Sequence, residues 1–448
     1  MRSTLRTAVA CGVDIGSTNV KVVLLSPEGV VVARHGRSTP RDAQELCIEG
    51  SALLSTVEDM IAQACGDLFE VCTVCVAGVG EDGVLVDDDH EPITPALAWF
   101  DPRRAEVLCD LRRVLPADDT FDAIDDAGRG LVGWAWARRQ PGAGSARGWV
   151  TVADLPGTTW TRRAFLSDTL ASRTGAWRAR DRSWDRARVT AALGSEGLLP
   201  PVVAAGEIIG GVETSVLLDS GVFSHDAVVV AGGHDHPIGG WGVEQMAPGA
   251  VLDSMGTAEV VVAQRSSPPA SRQGDVDLAP GIRSRGTTLL RVEELSRNFA
   301  WAARDAEVSA ALRDLIDGRV HPTFELDRGY FRPGSRGGGE PSYAPDAPRH
   351  PLARATAVLG ALAHVGRDAV DAVRRGPADR GGVRLAGGWA RSPGWVTIKE
   401  MVNGYRTEVI AEPEVTAVGA ALLAATARGW APDPAVALSG SRHGLMQP

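Results

Sequence analysis

The chain has 448 residues, 44% of them hydrophobic and 23% charged, a balance that excludes a wholly disordered or fibrous protein and leaves room for two or three domains. Its formal charge is −10, and only Lys21 and Lys399 are lysines among 46 basic residues, which argues against a nucleic-acid partner because phosphate backbones recruit clustered basic surface. No stretch reads as a signal peptide or a membrane span, so the expectation is a cytoplasmic protein with a small-molecule partner and no membrane partner; a homodimer is left open.

From Val9, VACGVDIGSTNVKVVLLSPEGVVVARHG reads as strand, glycine-polar turn, strand, Pro-Glu-Gly turn and third strand, a β-meander opening a domain. Residues 43–65 carry apolar residues at helical spacing, and Val71 to Val79 suits a buried strand. Such alternation predicts an α/β layered fold. All six cysteines lie in the first quarter. Cys72 and Cys75 are three apart on a predicted strand and face opposite sides, so free buried thiols are expected rather than a metal or redox pair. Residues 117–148 have poor periodicity and yield no element. The second half shows strands around 249–263, a Gly/Pro/Arg-rich loop at 332–350 read as solvated at Arg332 to Arg336, a helix from Leu352 to about Arg374, and a small-residue helix from Val415 to Ala427.

Two short stretches look alike. VDIGSTNVKVVLL (13–25) and LDSMGTAEVVVAQ (252–264) each place a threonine four residues after an aspartate, Asp14 and Thr18 or Asp253 and Thr257, inside a glycine turn between apolar strands. Duplication of a whole domain explains this, with the boundary near Val243. A turn carrying Ser17, Thr18 and Asn19 presents N–H groups and hydroxyls to a phosphate oxygen, and Asp14 could hold Mg²⁺ directly or through water. There is no P-loop and no dinucleotide fingerprint. AGGHDHPIGG (231–240) sets Asp235 between two histidines as metal ligand, proton acceptor or turn former. On an extended segment His234 and His236 would point away from Asp235, which makes a three-residue metal cluster awkward.

In this order the motifs resemble the FGGY family of carbohydrate kinases, within the sugar kinase and actin superfamily, over nearly the whole chain. Asp14-Ile15-Gly16-Ser17-Thr18 looks like the first phosphate motif, PALAWFDPRRAEVL (95–108) like the sugar segment, SDTLASRTGAWRARDRSWD (167–185) and LLPPVVAAGEIIGGV (198–212) like the stretches that follow. GGHDHPIGG resembles the end of the first domain, DSMGTAEVV the second phosphate motif, LAGGWARSPGWVTIKEMVNGY the adenosine motif, and EPEVTAVGAALLAA (412–425) the closing helix. The loop Gly80-Glu81-Asp82-Gly83 looks closest to that of fuculokinase-like members, among the ketose kinases of fuculokinase and xylulokinase type.

The resemblance implies two actin-like, ribonuclease H-like α/β domains, 1–243 and 244–448, with a ligand cleft between them. It implies ATP and Mg²⁺ as cofactors and transfer of the γ-phosphoryl group to a hydroxyl of a neutral ketose or polyol. Asp235 would be the base. Glu81, Asp82, Trp99, Asp101 and Arg103 would meet the sugar. Gly16, Ser17, Thr18, Asn19, Gly256, Thr257, Gly387, Gly388 and Ser392 would hold the nucleotide, and Asp14 the metal. Three positions depart from the family pattern: Trp389 where a small residue is usual, Met401 where an aspartate is common, and Leu359 where glutamate precedes Gly360. These departures keep a non-catalytic sugar or nucleotide sensor as an alternative, beside a glycerol or short-polyol kinase and an actin- or chaperone-like ATPase.

Overall fold

The computed structural model describes residues 6–44, 46–115, 126–269, 275–327, 329–335, 339–374 and 381–440. Two six-stranded sheets dominate it. The first contains β1 (Thr7–Ile15), β2 (Asn19–Leu25), β3 (Val31–Ser38), β4 (Phe69–Gly78), β5 (Ile208–Gly211) and β6 (Phe223–His234), in the order β5-β6-β4-β1-β2-β3. The second contains β7 (Val251–Met255), β8 (Ala258–Arg265), β9 (Asp277–Pro280), β10 (Thr287–Glu294), β11 (Val383–Ala386) and β12 (Glu408–Val409), in the order β9-β10-β8-β7-β11-β12.

The two orders repeat one scheme. β1 pairs antiparallel with β2 and parallel with β4, and β7 pairs antiparallel with β8 and parallel with β11. Asp14 and Asp253 therefore occupy like places on the first strand of each sheet, each ahead of a glycine turn. The weak likeness of 13–25 to 252–264 is thus matched in three dimensions.

Helices cover both faces of each sheet, which is why the central parallel strands read as nearly unbroken apolar runs. Alternate residues of β1 face opposite cores: Val9, Cys11 and Val13 pack toward α1 (Gly50–Cys65), while Ala10 joins the core between the sheets. α2 (Asp235–Met246) leaves the first sheet but lies on the second. α5 (Val415–Ala427) leaves the second sheet but lies on β1, β2 and β4 of the first. The two inner helices touch, and their small residues allow the approach. A Cβ at Gly242 would stand only 3.2 Å from Gly419 Cα across the helix pair, and one at Gly12 of β1 only 2.0 Å from the Ala417 carbonyl oxygen of α5. α3 (Pro351–Arg374) covers the outer face of the second sheet, with α4 (Pro393–Asn403) against it.

The helix expected over 43–65 begins only at Gly50, because Cys47–Ile48 pairs with Ala96–Leu97 as a short strand. Within 117–148, the described part holds a helix at Gly130–Ala137 that is apolar all round, with Trp134 edge-on to Trp149 at 5.4 Å. A helix buried on every side has no polar stripe, so periodicity could not reveal it. Arg332 is exposed as expected, in a short pair Phe331–Arg332 with Ser342–Tyr343, while Arg336 lies outside the described residues. All six cysteines are free. Among the described residues no helix is long and apolar enough to cross a membrane.

Candidate active site

A cavity of about 150 Å³ opens between the two sheets. The first half lines it with Ser17, Glu81, Trp99, Arg173, Asp235 and His236, and the second with Thr257, Val260, Val292 and Glu294. It lies at the carboxyl ends of β1, β4 and β6, where open α/β sheets bind ligands.

Asp235 reaches it because β6 squeezes between β4 and the segment after residue 166. A Cβ at Gly232 would stand 1.9 Å from the Val76 carbonyl oxygen, and one at Gly233 2.1 Å from Thr169 Oγ1. The strand ends at His234 and α2 begins at Asp235, whose Oδ1 accepts the His236 backbone N–H at 2.7 Å. Burial pushes the Asp235 carboxyl up to about 7, with that backbone bond opposing, Glu81 raising it, and Arg173 and Lys21 lowering it.

The histidines differ from expectation. Because the chain turns helical at Asp235, both rings approach the aspartate: His234 Nε2 lies 3.2 Å and His236 Nε2 3.7 Å from Asp235 Oδ1. Burial keeps His234 well below the usual imidazole range and brings His236 down to about 4, so both are neutral near pH 7. The His234 ring packs against Asp235 without a ring hydrogen bond to it, and His234 Nδ1 is buried without a partner. Among the described residues no three His, Cys, Asp or Glu side chains are grouped as metal ligands.

Asp14 sits opposite Lys21 in the β1–β2 register, with Lys21 Nζ 3.3 Å from Asp14 Oδ2 and 3.3 Å from Glu414 Oε2. Asp14 Oδ1 is buried without a hydrogen-bond partner. Burial pushes the Asp14 carboxyl up to about 6, against the pull of Lys21 and with Asp235 raising it further. The turn beyond is tied from behind: Gly16 N–H bonds Asn19 O at 3.0 Å, Thr39 Oγ1 donates to Gly16 O at 2.7 Å, and Arg41 donates to Ser17 O. Thr18 and Asn19 are left exposed. Trp99 Nε1 donates to Ser17 Oγ at 2.7 Å, joining the candidate sugar segment to this turn.

The structure divides the five candidate sugar residues. Glu81 and Trp99 line the cavity; Asp82, Asp101 and Arg103 are not on its wall. Asp101 is buried, and its carboxylate takes both the backbone and the guanidinium of Arg103. Asp82 is fully buried, 3.3 Å from Arg104 Nη2, and burial pushes its carboxyl up to about 7. Arg104, not singled out by the sequence, is the organiser here. It donates to the carbonyls of Leu97, Ala98 and Arg129 as well as to Asp82.

In the second half the β7–β8 turn brings Thr257 to the cavity, and a Cβ at Gly256 would meet nothing within 4 Å. Gly387 has φ +86° and its Cβ would stand 2.3 Å from the Met255 carbonyl oxygen, whereas Gly388 faces open space. Ser392 precedes α4 and donates its N–H to Trp389 O. Trp389 packs edge-on against Phe299 at 5.0 Å and lies 5.8 Å from Trp395. Met401 is exposed and Leu359 is core. Lys399 is fully buried, 2.6 Å from Asp253 Oδ2 and bonded to Glu259. Burial and the nearby Asp253 push the Glu259 carboxyl up, with Lys399 opposing, and Lys399 bridges both carboxyls. The chain's two lysines thus stand on the two equivalent aspartates. Their rarity was the sequence signal.

Two like sheets, crossed inner helices and facing glycine turns define a two-domain actin-like α/β fold. Residues 9–242 match the N-terminal domain model of the FGGY family of carbohydrate kinases, more than half the chain. The chain belongs to the FGGY family of carbohydrate kinases, phosphotransferases with an alcohol group as acceptor. It is 25% identical to an L-fuculokinase of Escherichia coli K12 across 93% of this chain and 91% of that protein. It is 27% identical to a xylulose kinase of Streptomyces coelicolor across 81% and 76%. The fold matches the ligand-bound xylulose kinase of Lactobacillus acidophilus with a TM-score of 0.80 at 16% identity, over 95% of this chain and 91% of that one.

Proposed function

We propose that this carbohydrate kinase transfers the γ-phosphoryl group of ATP to a hydroxyl of a neutral ketose or short polyol. One observation carries the neutrality of the substrate. Glu81 and Asp235 bring two acidic side chains to the cavity, while the guanidinium of Arg173 on the same wall is committed to Glu81 and Asp277. A sugar acid would meet like charge there, whereas hydroxyls donate well to carboxylates. The names of the L-fuculokinase and xylulose kinase it is similar to support a ketose.

In this reading residues 1–243 bind the sugar and 244–448 the nucleotide. Asp235, held by the His236 backbone N–H, accepts the proton of the attacking hydroxyl. The turns at Gly16 to Asn19 and at Gly256 and Thr257 bind phosphate oxygens from opposite sides, and Gly387, Gly388 and Ser392 lie toward the nucleoside. Trp99 flanks the sugar. Asp82, Asp101 and Arg103 shape the loop that carries Glu81 and Trp99. Magnesium fits the residues present, because Asp14 Oδ1 is a buried oxygen with no hydrogen-bond partner and hard oxygens suit that ion. Bound there, it would neutralise phosphate charge. Closure of the two halves would exclude water and limit futile hydrolysis.

The test is ADP release across ketoses, aldoses, polyols and sugar acids with ATP and Mg²⁺, using Asp235→Asn as the blank. A neutral ketose or polyol should be preferred. Preference for a sugar acid would overturn the charge argument, and binding without turnover of any sugar would favour a sensor.

A further inference from the structure

Asp277 opens β9 of the second sheet, yet its carboxylate is buried among side chains of the first half. Arg173 Nη1 donates to Asp277 Oδ2 at 2.5 Å, and Arg129 Nη2 donates to Asp277 Oδ1 at 2.7 Å. The same Arg173 guanidinium donates through Nε to Glu81 Oε1 at 2.8 Å. Glu81 Oε2 accepts the Gly80 N–H at 3.1 Å, so both carboxylate oxygens are engaged.

This arrangement is built rather than incidental. The two arginines are held side by side by backbone bonds from Gly130 N–H to Arg173 O at 3.1 Å and from Leu131 N–H to Thr174 O at 2.8 Å. Gly80 admits the Arg173 stem, since a Cβ there would stand 2.5 Å from Arg173 Cγ. β9 pairs with β10, the strand that supplies Val292 and Glu294 to the opposite wall of the cavity. The clasp therefore ties the acidic wall of the site to the wall contributed by the second sheet. Neither Asp277 nor Arg129 lines the cavity, so neither need touch a ligand.

We propose that Asp277 and Arg173 are positioning residues for the sugar: they fix the Glu81 carboxylate at the cavity wall and couple its placement to that of the second half. A long side chain clamped in one rotamer spares the ordering cost on binding, so loosening it weakens ground-state and transition-state binding alike and raises KM with kcat little changed. Charge-assisted bonds to a planar guanidinium supply that clamp, and lysine cannot reproduce the fork.

The experiment uses Asp277→Asn and Arg173→Lys in the full chain. Its kinetic half rests on the sugar-kinase reading and uses the best neutral sugar from the ADP-release survey. The sugar KM should rise at least about tenfold in both variants, with the ATP KM within about twofold and kcat within about fivefold. A fall in kcat with the sugar KM unchanged would mean a merely structural role and overturn the proposal. The second half needs no sugar: amide hydrogen exchange in the unliganded protein should accelerate at least about tenfold over residues 78–83 in Asp277→Asn. Unchanged exchange there overturns the clasp whatever the substrate is. Faster exchange without turnover of any sugar would support the clasp and count against the kinase reading instead. If Asp277→Asn fails to fold, the same two measurements on Arg173→Lys decide the matter in the same way.

Discussion

Trp99 donates its indole N–H to Ser17 Oγ at 2.7 Å, so a residue of the candidate sugar segment and a residue of the first phosphate turn share one hydrogen bond at the cavity wall. Trp99→Phe keeps an aromatic ring and removes that donor. A net loss near 1 kcal/mol is expected, about fivefold in kcat/KM, felt for sugar and for ATP alike. Steady-state kinetics with each substrate varied in turn checks this; an effect confined to one substrate would show that the bond does not link the two sites.

Lys399 lies fully buried between Asp253 and Glu259 beneath the second turn. Lys399→Met removes the cation and leaves two buried carboxyls, which should cost about 3–5 kcal/mol of stability. Urea unfolding reads it directly. Lys21→Met should cost less, because Lys21 keeps 32% of its side-chain surface in solvent. Equal losses in the two variants would contradict the contrast in burial.

Asp154 is buried below the site, accepting from Thr151 Oγ1 at 3.0 Å and Ser167 N–H at 3.2 Å, and burial pushes its carboxyl up to about 7. The folded state therefore binds this proton more tightly than the unfolded chain, whose carboxyl titrates near 3.9. The stabilising contribution is fully present below about pH 4 and is lost as the pH rises through about 7, roughly 4 kcal/mol in all. Asp154→Asn keeps an oxygen for both donors and should raise thermal stability at pH 8 far more than at pH 4. An equal shift at both pH values would contradict the raised carboxyl.

The repeated scheme of strands was legible from little more than two glycine turns, because Asp14 with Thr18 and Asp253 with Thr257 sit in local patterns that a linear reading can match. The place of Asp235 at the cavity was legible too, from its glycine-framed position after an apolar run. Its two histidines were misjudged, since their direction depends on where β6 gives way to α2, a boundary decided by packing around Gly232 and Gly233. Arg104, Arg129, Arg173 and Asp277 left no usable signal. Arg173 meets Glu81 across 92 residues and Asp277 across 104, and arginine is so abundant in this chain that no single one stands out. Asp101 misled for the opposite reason: it matched a motif, yet its carboxylate is taken up by Arg103 two residues away.

Catalysis by Asp235 should also carry a pH signature. With its carboxyl near 7 in the free protein, the base is lost as the pH falls, so kcat/KM should rise with pH through an apparent value of about 7. Asp235→Glu retains a carboxylate at altered reach and should keep that pH dependence at reduced rate. A flat profile from pH 5.5 to 8.5 in the wild type would argue against a base of this kind.

The role of Asp235 is decided by kcat for ADP release from purified Asp235→Asn beside the wild type, with ATP, Mg²⁺ and the preferred neutral sugar at saturation. The variant should fold and still bind the sugar but turn over about 10²–10⁴-fold more slowly. A loss of less than about tenfold in a folded, sugar-binding variant would contradict Asp235 as the base.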